Sequence, residues 1–356
     1  MRFSSSFLSV LALASQALAF PLNDLPTTDS GLEVKLTSVG NTRMKAVLTN
    51  TADHDLSFLK FNTFFDDAPT QKVRIAKDGS LVPFNGIHRY YNIDDLPQEA
   101  FIPLAPGESV EAEFDIAETS DLSAGGSYKI FASGVIPIVA GPGIKVTSAV
   151  SFSTDEMTVD VDGAEAAQVQ SALPEATLDK RTRIDRNTCT GNYYNALARA
   201  LQTAAGYASR AAQAAQAGNR FQEFFKTTSP QVRQNVAARF SAIAQECRSP
   251  SGGRTTYHCQ DVYRACQQGI IAYTIPARSA VVNCPPYWRL PAVVNQGFAP
   301  DMGYVVVHEF AHAPSIFRPG TVDHAYGYAQ CVRLNSQQAL SNADNYALFA
   351  AAASRR

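Results

Sequence analysis

The chain has 356 residues, 46% hydrophobic and 17% charged, which is ordinary globular composition with room for two domains and excludes long disorder, a collagen-like repeat or a coiled coil. The formal net charge of −2 conceals a split. Lys+Arg against Asp+Glu is 12 against 24 over residues 20–181 and 17 against 8 over residues 182–356, so an acidic half of −12 precedes a basic half of +9.

Residues 1–19 begin with the basic Arg2, continue through the apolar stretch Phe7 to Leu13, and reach Ala17-Leu18-Ala19 before Phe20. A basic start, a short apolar core and small residues at −3 and −1 predict a secretory signal peptide cut after Ala19 by signal peptidase. No later run approaches the ~18 apolar residues needed to span a bilayer, so the product is expected to be exported and not held in a membrane. From about residue 30 to 162 the sequence alternates with period two, as in Leu32-Glu33-Val34-Lys35-Leu36 and Met157-Thr158-Val159-Asp160-Val161, between breakers such as Asp78-Gly79 and Gly125-Gly126. That pattern predicts an antiparallel, all-β, sandwich-like unit. Where the charge changes sign stands Lys180-Arg181, in a polar stretch open to a kexin-type processing protease. Cleavage there would divide a propeptide, 20–181, from a mature domain, 182–356.

Beyond residue 190 the texture becomes alanine-rich and helical. A helix is predicted from Asn192 to Ala217, stopped by Gly218-Asn219, and another from Pro230, with Ser229 as its cap, to about Cys247. Residues 248–302 read as irregular chain with short strands around Ile270 to Tyr273 and Ala280 to Val282. A last helix is predicted over about Ser336 to Ala353. All six cysteines, Cys189, Cys247, Cys259, Cys266, Cys284 and Cys331, lie in this half. In an oxidising compartment that even number predicts three disulfides, and the short separation of Cys266 and Cys284 makes them a local loop.

Between these helices lies His308-Glu309-Phe310-Ala311-His312, an H-E-x-x-H pattern on an apolar helical stretch. Residues four apart share a helix face, so both imidazoles can reach one metal while Glu309 addresses a water on it. Catalytic zinc takes three protein ligands and keeps one position open. The spacing of the metzincins fails, because Ser315 and Arg318 stand where Gly and His are needed, and no Glu follows Glu309. Asp323, His324 and Asp344 remain as downstream candidates, and the return loop after Pro319-Gly320 favours Asp323. Asp344 reads better as a helix cap or as an acceptor behind a zinc-binding histidine.

His308-Glu309-x-x-His312 followed by Gly320-Thr321-x-Asp323-x-x-Tyr326-Gly327 resembles the aspzincin signature of the deuterolysins, the secreted fungal neutral protease 2 enzymes. The likeness extends over the whole precursor, including the ending Asn342-Ala343-Asp344-Asn345-Tyr346-Ala347-Leu348. It implies a mainly α (α+β, zincin-like), disulfide-bonded catalytic domain with one Zn2+ held by His308, His312 and Asp323, and Glu309 as general base. It also implies a tyrosine that steadies the transition state, for which Tyr287 is the match, with Tyr326 a further hydroxyl near the site. The likeness pairs Cys189 with Cys259, which leaves Cys247 with Cys331.

The expected activity is that of a zinc metalloendopeptidase cutting proteins and peptides through a zinc-activated water. The competing reading is a secreted, disulfide-rich binding protein whose zinc site is closed by a fourth ligand such as His324 or Asp344. The arginines form no clustered stripe of the kind that binds nucleic acid. Residues 20–181 contain no cysteine, so a thiolate cannot plug the zinc. The propeptide is expected to inhibit by steric and electrostatic docking, with His54, His88 or a carboxylate as the side chains it can offer the metal.

Overall fold

The computed structural model describes residues 31–93, 95–140, 144–173, 184–249 and 252–355. The predicted leader with its Ala19 junction, and Lys180-Arg181, lie outside these described residues. Strands β1 (Leu32–Ser38), β2 (Arg43–Asn50), β3 (Leu56–Leu59), β4 (Arg74–Lys77), β5 (Ser80–Leu81), β6 (His88–Tyr91), β7 (Phe101–Leu104), β8 (Ser109–Asp115), β9 (Gly126–Phe131), β10 (Ser133–Ala140), β11 (Ser148–Ser153) and β12 (Met157–Val161) occupy the acidic half, followed by the short helix α1 (Gly163–Ala166).

Three sheets, ordered β1-β2-β8, β11-β10-β3-β7 and β12-β9-β4-β5, take eleven of these strands. Their alternation is the physical cause of the layering, since period two sends every second side chain to one face. Met44, Ala46 and Leu48 of β2 are buried in turn, while Arg43 and Lys45 point outward to Glu113 and Glu111 of β8. Exposed ion pairs of this kind contribute at most about 1 kcal/mol, so the apolar face decides the register. The first sheet packs over the other two: Leu36, Met44 and Ala46 meet Ile75, Tyr128 and Ile130, and Leu32 and Leu48 meet Phe58, Leu104 and Ile136.

The expectation of a separate all-β unit is corrected at one point. Strand β6 leaves the three sheets and pairs antiparallel with a strand of the basic half. Leu59, Phe61, Ile87, Tyr90, Tyr91, Leu96 and Phe101 accordingly belong to the same buried cluster as the helices of that half. The two halves share a core.

The basic half comprises α2 (Gly191–Ala217), α3 (Phe221–Phe225), α4 (Pro230–Arg248), β13 (Thr256–His258), β14 (Ile270–Ile275), β15 (Ala280–Asn283), α5 (Met302–His312), α6 (Tyr328–Cys331), α7 (Ser336–Ser341) and α8 (Ala343–Ala352). Its sheet runs β13-β15-β14-β6, with β13 and β15 parallel and the other pairs antiparallel. Helix α2 ends where predicted, with Gly218 at φ +82° accepting the left-handed cap conformation that a side chain resists. Its buried face is mostly alanine, which lets α4 and α5 approach closely. A Cβ on Gly303 of α5 would stand 2.8 Å from Thr203 Cγ2 of α2. No helix among the described residues is long and apolar enough to cross a membrane.

Two further expectations are corrected. The last helix is broken into α7 and α8, because the Asn342 side chain bonds the neighbouring loop in place of continuing the helical ladder. Disulfides join Cys189 to Cys259 and Cys266 to Cys284, but Cys247 and Cys331 form no third bridge. Cys331 turns its sulfur toward the Ala325 carbonyl (3.3 Å) and receives the Asn342 amide (3.3 Å). Cys247, on α4, lines a cavity together with Ile184, Tyr194 and Leu201.

Candidate metal centre and active site

Every residue of α5 is buried, so the helix is enclosed on all sides and is positioned by its ends as well as by its packing. At the N-terminus Asp301 accepts from the Tyr304 amide (2.8 Å), the Val294 amide (2.8 Å) and the Tyr207 hydroxyl (2.7 Å), and pairs with Arg355 (2.9 Å). Asp301 thus caps the positive end of the helix and ties it to the Arg355 cation. At the C-terminus Arg239 donates to the carbonyls of Ala311 (3.1 Å) and Pro319 (2.6 Å). The return loop is thereby tied to the end of the helix.

Gly320 is needed there because of close approach. A Cβ at that position would stand 2.3 Å from the His312 carbonyl oxygen. Gly320→Ala must push the loop away three residues before Asp323, and overpacking of this kind costs roughly 1–3 kcal/mol. The expected result is a lower thermal midpoint together with weaker zinc binding, read by unfolding and by metal titration. An unchanged midpoint and affinity would contradict this role for the glycine.

Asn342 pins the other side of the loop, accepting from the amides of His324 (2.7 Å) and Ala325 (3.1 Å) and donating to the Ala325 carbonyl (3.0 Å). Val322 bridges Asn342, with its amide donating to the Ser341 carbonyl (2.8 Å). These bonds carry Asp323 to the histidines. His308 Nε2 and His312 Nε2 are 3.2 Å apart, and Asp323 Oδ1 lies 3.3 Å from each. A tetrahedral ion with bonds of about 2.0–2.1 Å sets its ligand atoms about 3.3 Å apart, so the triangle fits zinc.

The outer nitrogens fix which atoms converge. His312 Nδ1 donates to the Thr321 carbonyl (2.9 Å), which can only accept, and His308 Nδ1 lies 3.2 Å from Asp344 Oδ1. Both Nε2 atoms are left toward Asp323. Asp344 is held behind His308 by the Tyr304 hydroxyl (2.7 Å) and the Gly327 amide (2.7 Å). His324 turns away, its Nε2 3.0 Å from Ser341 Oγ.

The electrostatics call for a cation. Burial works against charge on both partners, yet His312 and His308 hold the Asp323 carboxyl well below its usual range. Burial lowers His308, but the neighbouring Asp323 and Asp344 carboxylates outweigh that and raise it to about 10. A cation bound among these atoms would neutralise the same carboxylates. Burial pushes Glu309 up to about 7. Its Oε2 accepts from the Thr274 hydroxyl of β14 (2.6 Å), and its Oε1 has no hydrogen-bond partner.

The sequence matches the family described as Deuterolysin metalloprotease (M35) over residues 1–356. The chain belongs to this family. It is 65% identical over 355 residues to the neutral protease 2 homolog MEP3 of Coccidioides posadasii, covering 100% of this chain and 99% of that protein. Identity to a neutral protease 2 homolog of Uncinocarpus reesii is 62% over 357 residues, with 100% and 99% covered. The chain is thus a metalloendopeptidase of the deuterolysin type.

In this deuterolysin Tyr287 does not join the cluster; its buried hydroxyl donates to the Met302 carbonyl (3.3 Å) at the start of α5. The tyrosine beside the histidines is Tyr326, with its ring 5.9 Å from that of His308 and its hydroxyl donating to the Arg89 carbonyl of β6 (2.7 Å). Sequence reasoning missed Thr274, which lies in no motif, and gave Asn342 no role beyond its place in the family-like ending, although an asparagine within an alanine-rich helix was a signal. Nor did it assign β6 to the active-site sheet. Tyr90 packs its ring 4.4 Å from His308, and His88 stacks on His312 at 4.5 Å.

Proposed function

We propose that the chain is a secreted zinc metalloendopeptidase made as a latent precursor. Residues 1–19 direct export, and cleavage after Lys180-Arg181 separates the propeptide, 20–181, from a mature enzyme, 182–356, that acts on proteins and peptides. The supporting observation is the triangle of His308, His312 and Asp323, with sides of 3.2–3.3 Å and a carboxylate that has no hydrogen bond of good geometry. These residues would hold one zinc, which when bound would supply Lewis acidity to the reaction. Glu309, with one oxygen fixed by Thr274 and the other unpartnered, would be the general base, able to hold and pass on a proton at Oε1. Asp344 and the Thr321 carbonyl keep both imidazoles in the binding tautomer. Once β6 departs, the Tyr326 hydroxyl loses the Arg89 carbonyl and can donate to the developing oxyanion.

The test is azocasein hydrolysis by the mature protein before and after chelation. Activity should disappear with the metal and return with zinc in a ratio of one ion per chain; hydrolysis that survives complete metal removal would defeat the proposal. Family membership and the available Glu309 oxygen disfavour the alternative of a binding protein with a closed zinc site.

The N-terminal segment inhibits by β-augmentation, with β6 paired along β14 across the catalytic cleft. Among the described residues no ion pair joins the two halves, and the shared interface is largely aromatic and aliphatic. The opposite charges therefore speed the encounter more than they hold the complex. Separately expressed 20–181 should inhibit mature 182–356 at both low and high ionic strength. Inhibition that vanishes in high salt would restore an electrostatic account.

A further inference from the structure

The propeptide carries two histidines that lie in described segments, His54 and His88, and the fold separates them. His54 is exposed and bonded to its neighbour Asp53 (2.9 Å). His88 is buried, and its ring lies nearly parallel to that of His312. One ligand atom each from His88, His312 and Asp323 lie within 4.8 Å of one another. His312 and Asp323 are also two corners of the triangle completed by His308.

The strand fixes this placement. β6 is antiparallel to β14 with His88 opposite Thr274, the residue whose hydroxyl holds Glu309. Period two then presents His88 and Tyr90 to the two histidines of α5, while Arg89 between them is buried against Asp66 (3.1 Å) and donates to Gln267 (3.2 Å). The Arg89 carbonyl receives the Tyr326 hydroxyl, so β6 is secured from both sides of His88. This pairing sets the His88 ring beside the ligand atoms of His312 and Asp323.

We propose that His88 is the fourth zinc ligand of the precursor, closing with His308, His312 and Asp323 the coordination position that the mature enzyme gives to water. A zinc with four protein ligands is a structural site, and one with three is catalytic. Removal of β6 therefore converts one into the other without any thiol. This inference rests on the zinc-peptidase reading above.

The test uses the purified precursor, 20–356, carrying Glu309→Gln to prevent self-cleavage and loaded with zinc. X-ray absorption should count three imidazoles on the metal, falling to two in His88→Phe and remaining three in His54→Gln. Zinc should also pass to a competing chelator at least about tenfold faster from His88→Phe, a loss on the scale of disturbing a metal site's supporting residues. If the phenylalanine variant fails to fold, His88→Gln gives the same readouts. Two imidazoles in the parent precursor, with release unchanged in the variant, overturn the inference alone. A precursor that takes up no zinc overturns the zinc-peptidase reading as well.

Discussion

Replacing Glu309 with Gln is expected to leave zinc in place and to reduce turnover by a factor of about 10²–10⁴, the usual contribution of a positioned general base. The amide has the same shape and can still meet the Thr274 hydroxyl, which now bonds Oε2 at 2.6 Å. What it cannot do is accept a proton on the other atom. Because Thr274 preserves the rotamer, the loss should appear in kcat with little change in KM. The measurement is steady-state peptide hydrolysis alongside metal analysis of the same preparation. Near-native turnover would remove Glu309 from the chemistry.

The second large effect is expected at Asp323. Asp323→Ala deletes one corner of a buried triangle and leaves two imidazoles for an ion that takes three protein ligands in catalytic sites. The purified variant should contain essentially no zinc. Asp344→Ala acts differently, because Asp344 Oδ1 faces the outer nitrogen of His308, at 3.2 Å, and also accepts from Tyr304. Loss of such an orienting carboxylate costs roughly 10–100-fold in metal affinity, so this variant should still load at saturating zinc. If Asp344→Ala is the zinc-free protein and Asp323→Ala is not, the two carboxylates have been given each other's roles.

The parts of this site that were legible in the sequence are those governed by local periodicity. The four-residue spacing puts His308 and His312 on one face of α5 whatever the surroundings, and Pro319-Gly320 announces the turn that returns Asp323. The strands of the acidic half were visible for the same reason, as period-two runs between breakers. Pairing between distant segments leaves no such trace. His88-Arg89-Tyr90-Tyr91 has the composition of any strand, and nothing in it specifies β14, 179 residues on in the register of Tyr91 with Ile270, as its partner. Cysteine pairing is legible for Cys189 with Cys259 and Cys266 with Cys284 but not for the pair left by elimination, because Cys331 is committed to the Asn342 and Ala325 contacts. Asn342 was hidden because helix propensity is a weak prior against a buried amide that satisfies three backbone groups at once.

The most direct test of the assigned metal centre is a crystal structure of mature 182–356 grown with zinc and measured at the zinc absorption edge. One anomalous peak is expected, bonded to His308 Nε2, His312 Nε2 and an oxygen of Asp323, with Asp344 bonded only to His308. A peak ligated by Asp344 or His324 in place of Asp323, or no peak between the two α5 histidines, would contradict it.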